Sequence, residues 1–291
     1  MPDGVTGIAA PSVEGAMAPA CAEITFARDP AGRTYVRRQH VSYPYHVCRA
    51  LTFAGDPPGM ATLYLQSCAG GIYRDDRLRE HIVAEEGAAA HVTTQASTIV
   101  HSMDRGSARQ DVLIEAAAGS LVEVVPDPFI LFPQSRFASD VRIRAHETAT
   151  VIVSDSFICH DPAGGAAMFD LFHGGLRVED LQGRLLTLDR VRVGGASVAD
   201  RRPGITGGFA TQGSLFVIQR QGAASALVEV LRNTAADMPH VYAGASELPS
   251  GCGAWLRVLA ADGSALRAAM STAWQAVRQT LTGQTPALRR K

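Results

Sequence analysis

The strongest constraint on the fold is a long succession of short alternating segments between about residues 23 and 232. "HVTTQASTIV" is typical, because every second residue from Val92 to Val100 falls on one face. β-Branched residues at period two, interrupted by Gly, Pro and Asp, are characteristic of strands joined by turns. The pattern therefore predicts a mainly β protein, and the hydrophobic content of 46% is that of a globular chain.

Helical spacing occurs only towards the C-terminus. In "SALRAAMSTAWQAVRQTL" the apolar residues recur every three or four positions, and Gly283 and Pro286 then end the pattern. A second helix is predicted at about residues 227–236. We therefore expect a few C-terminal helices on a β body.

Three turns recur at a nearly constant interval. They centre near Gly87, Gly119 and Thr148, which are 32 and 29 residues apart. A recurrence of this length is compatible with a β-solenoid, in which each coil stacks on the last. It is also compatible with hairpins in a sandwich or barrel, and periodicity alone favours the hairpins.

Charge and cysteine content exclude several classes of protein. The net charge is −1 and there is no basic block, which argues against a nucleic-acid partner. No segment approaches the roughly 18 apolar residues that span a bilayer, so no membrane association is expected. Five scattered cysteines without C-x-x-C indicate a reducing compartment, and we predict a cytoplasmic protein.

Residues 1–20 are interpreted as a flexible tail and residues 21–291 as a single domain.

The stretch "YLQSCAGGIYRDDRL" is the first candidate for a functional site. Asp75 and Asp76 follow Gly70 and Gly71, so they suit either a cation site or a plain turn, and the turn is favoured. A phosphate-binding P-loop is excluded, since the only lysine is Lys291. No strong catalytic constellation is present elsewhere.

Two other stretches carry chemical or apolar groups. Cys159 and His160 are neighbours on a strand-like segment, so their side chains should point to opposite faces and cannot form a nucleophile–base pair. "VVPDPFILFPQSRF" contains three prolines and is barred from a central strand. Its Phe129, Ile130 and Phe132 are equally compatible with core packing and with an interface.

Several segments together resemble one family, the urease accessory protein UreD, also called UreH. The segments are "AGGIYRDDRL", "EEGAAAHVTTQASTIVHS" and "AAAGSLVEVVPDPFILFPQSRF", in that order and at the family's intervals. The resemblance extends more loosely over the rest of the chain. It implies a β-helical body with a few helices, which favours the solenoid over the hairpins.

The resemblance also implies a function without catalysis. UreD proteins act with UreF and the GTPase UreG to load nickel into apo-urease, so those three proteins are the expected partners, and homodimerisation within the complex is a further expectation. No tightly bound cofactor is implied, only transient nickel moving along an internal water-filled route.

Three carboxylates match the family's positions along that route. They are Asp76 at the end of the Gly-Gly motif, Asp155 in "IVSDSF" and Asp189 in "LTLDRV". Oxygen ligands suit transit because they hold Ni²⁺ less tightly than thiolate or imidazole. For Asp155 and Asp189 the alternative is a turn or a cross-strand salt bridge with a neighbouring arginine.

The chain departs from the family pattern at two places. Asp75 stands where the family has Gly, and "CHDPAGGAAMFD" lacks the Arg and Glu of the family's "GR-x-x-x-GE". We therefore expect a divergent member. The alternative function is a β-solenoid carbohydrate-active enzyme that uses Asp75, Asp76 and Asp155 as acid and base.

Overall fold

The computed structural model describes residues 19–236 and 238–286. The predicted tail lies outside the described residues up to residue 18, and the first strand begins at Ala20. In chain order the strands of the described part are β1 Ala20–Arg28, β2 Thr34–Val41, β3 Tyr45–Val47, β4 Ala61–Ser67, β5 Arg77–Ala84, β6 Ala89–Thr94, β7 Thr98–Val100, β8 Ala108–Ala116, β9 Leu121–Val124, β10 Phe129–Leu131, β11 Arg136–Ala145, β12 Thr150–Cys159, β13 Leu171–Glu179, β14 Leu185–Gly194, β15 Thr211–Gln219, β16 Val241–Glu247 and β17 Gly253–Ala260. The helices are α1 Gly195–Ala199, α2 Ala224–Ala235 and α3 Gly263–Thr282.

The strands form two sheets, and the chain passes from one to the other. Sheet A has the order β14-β13-β11-β8-β5-β1-β2. Sheet B has the order β16-β17-β15-β12-β9-β6-β4-β3, and β10 pairs with β12 and with β7. From β4 to β13 the chain passes repeatedly between the sheets, so one strand of sheet A and the part of sheet B that follows it form one coil. The short strands β7 and β10 are additional strands of that sheet B part.

The coils stack in parallel, which confirms the predicted β-helical body. In sheet A, Ala84 lies opposite Ala116, and Ala116 lies opposite Ala145. The turns stack as well: the Gly87 N–H donates to the Ala118 carbonyl and the Gly119 N–H to Thr148 Oγ1, each over 2.9 Å. The recurrence at 32 and 29 residues is therefore the length of a coil.

Antiparallel strands complete both ends of the stack. β2 and β14 pair antiparallel with the outermost parallel strands of sheet A. In sheet B, β15 and β17 continue outward from β12 in antiparallel order, and β16 pairs with β17.

The main core lies between the two sheets. On the inner face of sheet A, a row of β-branched side chains crosses five adjacent strands: Ile24, Ile82, Ile114, Ile143 and Val178. Each is 1% exposed or less. β-Branched side chains fill such a pleated surface well, so one row of this kind joins successive coils into a single core.

The two predicted C-terminal helices are present, and they cover the outer face of sheet B. α3 begins at Asp262, whose carboxylate accepts hydrogen bonds from the Ser264 and Ala265 amides. It ends at Gly283 in the left-handed conformation. α2 corresponds to the predicted segment at 227–236, and the two helices pack on strands β15 to β17.

A buried ion cluster joins α3 to sheet B. Arg278 is 1% exposed and donates from Nε to Glu123 Oε1 over 2.8 Å, and its other nitrogens contact Glu123 and Asp56. Trp274 Nε1 and His91 Nδ1 complete the shell around Glu123 at 3.1 and 2.7 Å. Burial by itself would raise the pKa of Glu123, but the hydrogen bonds with His91 and Arg278 outweigh burial and lower it to about 2.

Removing one partner of this cluster should strongly destabilise the protein. Arg278→Met leaves Glu123 charged and buried, so we expect the free energy of unfolding to fall by about 3–5 kcal/mol. Urea denaturation measures this change. Arg267→Met is the matched control, since Arg267 lies exposed on the same helix. Equal effects of the two substitutions on the free energy of unfolding would contradict a stabilising role for the buried ion cluster.

Candidate functional site

A cavity of about 550 Å³ lies between the sheets, on the side of the core towards the Gly70–Gly71 turn. Its walls are largely apolar, with Val92, Val112 and Val153 among them. A few polar side chains project into it from adjacent coils: Tyr45, Glu80, Gln110, Ser139 and Asp155. A largely apolar cavity with a small number of converging polar groups is the usual form of a binding site.

The strand period places Glu80 and Gln110 inside. Glu80 shares the inner face of β5 with Leu78 and Ile82, and Gln110 shares the inner face of β8 with Val112. A polar residue on an otherwise apolar face was the available signal in the sequence, but it was overlooked, so neither residue was predicted.

Glu80 is held by neutral donors and not by an ion pair. Its Oε1 accepts hydrogen bonds from Gln110 Nε2 at 2.5 Å and from the Tyr45 hydroxyl at 3.1 Å. Burial raises the pKa of Glu80 to about 7, against the opposing effect of these two hydrogen bonds. The carboxyl group can therefore gain or lose its proton near neutral pH.

Asp155 and Asp189, two of the predicted residues, meet at one place. Both line a second, smaller cavity of about 20 Å³, which shares Asp155, Val141 and Val153 with the large cavity. Asp155 projects inward from β12 of sheet B, and Asp189 comes from β14 of sheet A. The tertiary fold therefore brings together two carboxylates that are 34 positions apart in the chain.

The surroundings of Asp155 disfavour its charge. Burial raises its pKa to about 7, and the charges of Asp140 and Asp189 add to the rise. The Ser156 amide and the Arg257 guanidinium act in the opposite direction.

Asp189 forms a salt bridge between the two sheets. Arg257 of β17 donates from Nη2 to Asp189 Oδ2 over 2.7 Å. Asp189 thus forms a salt bridge, but with an arginine 68 positions away on the opposite sheet and not with a neighbouring arginine.

Asp76 lies apart from these two carboxylates. Its Oδ2 accepts a hydrogen bond from the Tyr73 amide over 2.8 Å, so it stabilises the turn before β5, and it does not line either cavity. Gly71 in the same stretch has φ +142°, and a Cβ there would lie 2.4 Å from the Ile99 carbonyl. This close backbone approach requires glycine. The favoured interpretation of the stretch as a turn is confirmed, and a metal role for Asp76 stays a prediction.

The remaining candidates have structural environments. The Cys159 thiol donates to the Ala210 carbonyl over 3.1 Å, and all five cysteines are free thiols. Phe129 of the proline-rich stretch is buried against Phe137, whereas Phe132 is partly exposed beside His101. That stretch therefore contributes to the core at Phe129 and to the surface at Phe132. The expectation that its prolines bar it from a central strand is wrong for β10, which pairs with β7 on one side and with β12 on the other, because the three prolines lie outside the paired residues.

In the part of the chain that the structure describes, the acids named for a carbohydrate-active enzyme do not line one cavity. Asp75 is exposed and pairs with Arg74, whereas Asp155 lies inside the cavity. Trp274 lies on the buried face of α3, and Trp255 stacks on Phe216, so neither tryptophan offers a face to a sugar.

Two findings bear on ions and membranes. Within residues 19–236 and 238–286, no group of three or more His, Cys, Asp or Glu side chains converges to hold a metal. Within the same residues, no helix is long and apolar enough to cross a membrane.

The fold and the site define a β-helical protein that encloses a carboxylate-lined cavity. A family model described as UreD urease accessory protein matches residues 18–291. The chain is 42% identical to urease accessory protein UreD 1 of Pseudomonas syringae pv. syringae (strain B728a), over 93% of this chain and 95% of that protein. It is 41% identical to UreD 1 of Methylorubrum extorquens (strain PA1), over 93% and 91%. It is 33% identical to UreD of Natronomonas pharaonis, over 90% and 87%. The chain belongs to the UreD urease accessory protein family.

The buried carboxyl of Glu80 should make stability depend on pH. Its pKa lies above the unfolded value of 4.5, so the folded state holds this proton up to about pH 7 and loses stability as pH rises from 4.5 to 7. Glu80→Gln removes this loss, and we expect the variant to be roughly 2–3 kcal/mol more stable than the parent at pH 8 and similar at pH 4.5.

Urea denaturation at the two pH values tests this expectation. Glu86→Gln is the control because Glu86 is exposed on the turn after β5. A difference between Glu80→Gln and its parent that is the same at both pH values would show that Glu80 does not titrate as described.

Proposed function

We propose that this protein is a non-catalytic scaffold of urease maturation that conveys Ni²⁺ through its interior to apo-urease. The observation that carries the proposal is the pair of adjacent cavities, in a UreD family member, which share Asp155 in their linings while Asp189 lines only the smaller one. UreF and UreG are the proposed partners, with UreG releasing nickel on GTP hydrolysis. Homodimerisation within that complex and a cytoplasmic location remain predictions.

The donor set suits passage of the ion. Glu80, Gln110, Ser139 and Asp155 offer oxygen atoms to a cation in the large cavity. Oxygen donors bind Ni²⁺ less tightly than sulfur or imidazole donors, and the ion can keep part of its water shell. An ion moving past Asp155 to Asp189 would therefore always have a carboxylate near it without being trapped.

The enclosing walls contribute as well. Apolar side chains such as Val112, Val124 and Val153 separate the polar groups from bulk water. Electrostatic attraction is stronger beside apolar walls than in bulk water, so Asp155 together with the partly exposed Asp189 is enough to define a path. A scaffold of this kind needs no nucleophile or general base, which agrees with the naming of the relatives as accessory proteins.

Neutralising Asp155 should impair urease activation. With UreF, UreG, apo-urease and limiting Ni²⁺, we expect Asp155→Asn to reduce the nickel content and activity of urease by roughly tenfold, because the ion loses the charge that the two cavities share. Nickel analysis of purified urease and its initial rate measure the effect. Asp170→Asn is the control, since Asp170 pairs with Arg136 at the surface.

The outcomes separate transport from a purely structural role. Gel filtration shows whether each variant still joins the complex. If Asp155→Asn, Asp189→Asn and Asp76→Asn all assemble and activate urease fully, the nickel route is wrong and the protein is an interaction domain without a metal role.

A further inference from the structure

We propose that Arg257 is a tethered cation that competes with the metal ion between Asp155 and Asp189. Its guanidinium is bound to Asp189 in the metal-free protein and lies on the face of sheet B that carries Asp155, so a divalent ion must displace it from Asp189 in order to bind both carboxylates. This inference rests on the proposed function, because it concerns the same ion route. It assigns Arg257 a positioning role that keeps ion binding weak enough for release.

Arg257 belongs to a polar row that crosses three strands. Asp155 of β12 lies opposite Ser214 of β15, and Ser214 lies opposite Arg257 of β17. Paired residues on adjacent strands point to the same face, about 4.8 Å apart. The Arg257 side chain therefore extends over the inner face that carries Asp155, and its Nε reaches Ser214 Oγ at 3.3 Å.

Asp189 approaches the same place from the opposite sheet. Its Oδ2 accepts from Arg257 Nη2 over 2.7 Å, and Asp189 and Asp155 both line the 20 Å³ cavity. That volume holds about one water molecule. A cation entering it meets the Asp155 and Asp189 carboxylates, and Asp189 is held by Arg257, which lies outside the lining of this cavity.

The guanidinium has a second partner that supports it after displacement. Its central carbon lies 4.7 Å from the centroid of the Trp255 ring, in a cation–π contact. Arg257 and Asp189 are each between one quarter and one third exposed, so water can replace the salt bridge. Losing the contact with Asp189 therefore costs little, as is usual for a partly exposed ion pair.

Charge makes this competition selective. A monovalent cation gains no more from Asp155 and Asp189 than the guanidinium already supplies. A divalent ion gains roughly twice as much from each carboxylate at the same distance. The arrangement therefore admits divalent ions. Because displacing Arg257 requires free energy, it also weakens the binding of those ions.

Calorimetric titration of the purified full chain with Ni²⁺ tests the inference. Arg257→Gln removes the competing charge, so we expect Ni²⁺ to bind about three- to tenfold more tightly. Arg257→Lys keeps the charge and should retain the weak binding of the parent. Arg190→Gln is the matched control, because Arg190 follows Asp189 on β14 and is exposed.

A double variant locates the effect. Arg257→Gln combined with Asp155→Asn should lose the gain in affinity, since the released carboxylate pair is no longer complete. The inference is overturned if Arg257→Gln, folded by circular dichroism, binds Ni²⁺ as the parent does. It is also overturned if Arg257→Lys binds as tightly as Arg257→Gln, or if the gain persists without Asp155.

Failure of this inference differs from failure of the proposed function. Unchanged affinity in Arg257→Gln, together with lost urease activation in Asp155→Asn, would reject the competing cation and keep the nickel route. Tighter binding in Arg257→Gln, with full urease activation in Asp155→Asn, would keep the competition and reject the route.

Discussion

The parallel register between coils is the constraint on which the rest of the structure depends. Because Ala84, Ala116 and Ala145 must lie opposite one another, each coil must return to the same phase after 32 or 29 residues. A shift of one residue would turn the inner face of a strand outward and expose its member of the row of β-branched side chains in the core. The same register places Glu80 and Asp155 inside, so the cavity is a consequence of how the coils stack.

The fold accommodates buried charge in two different ways. Outside sheet B, the Glu123 carboxylate is compensated by Arg278 and hydrogen-bonded on both oxygens, which suits a permanent attachment of α3. Inside the sheets, Glu80 has only neutral donors. A carboxyl group with neutral donors, such as Glu80, tolerates a change of protonation or the arrival of a cation, so it is suited to a binding site. An ion-paired carboxylate such as Glu123 is suited to a permanent structural attachment.

Much of the fold could be predicted because its signals are local. Alternation identified the strands, the turns near Gly87, Gly119 and Thr148 carried the coil length, and apolar spacing located α3. The site could be predicted only in part. Asp155 and Asp189 were named by resemblance to the family, but Glu80 and Gln110 were overlooked, although each interrupts an apolar face. Arg257 carried no local signal, because its significance comes from Asp189, 68 positions away.

The sequence by itself determined which segments are strands, where α2 and α3 lie, and to which family the chain was assigned. These properties depend on short-range periodicity, turn chemistry and ordered motifs, all of which lie within a few tens of residues. Only the tertiary structure decided that Asp155 and Asp189 meet at one cavity while Asp76 stabilises a separate turn. The physical reason is that contacts between the sheets depend on how the coils stack and on where the later strands β14 and β17 join sheets A and B. A strand's own period specifies which face a carboxylate occupies, but not which side chain it meets across the core.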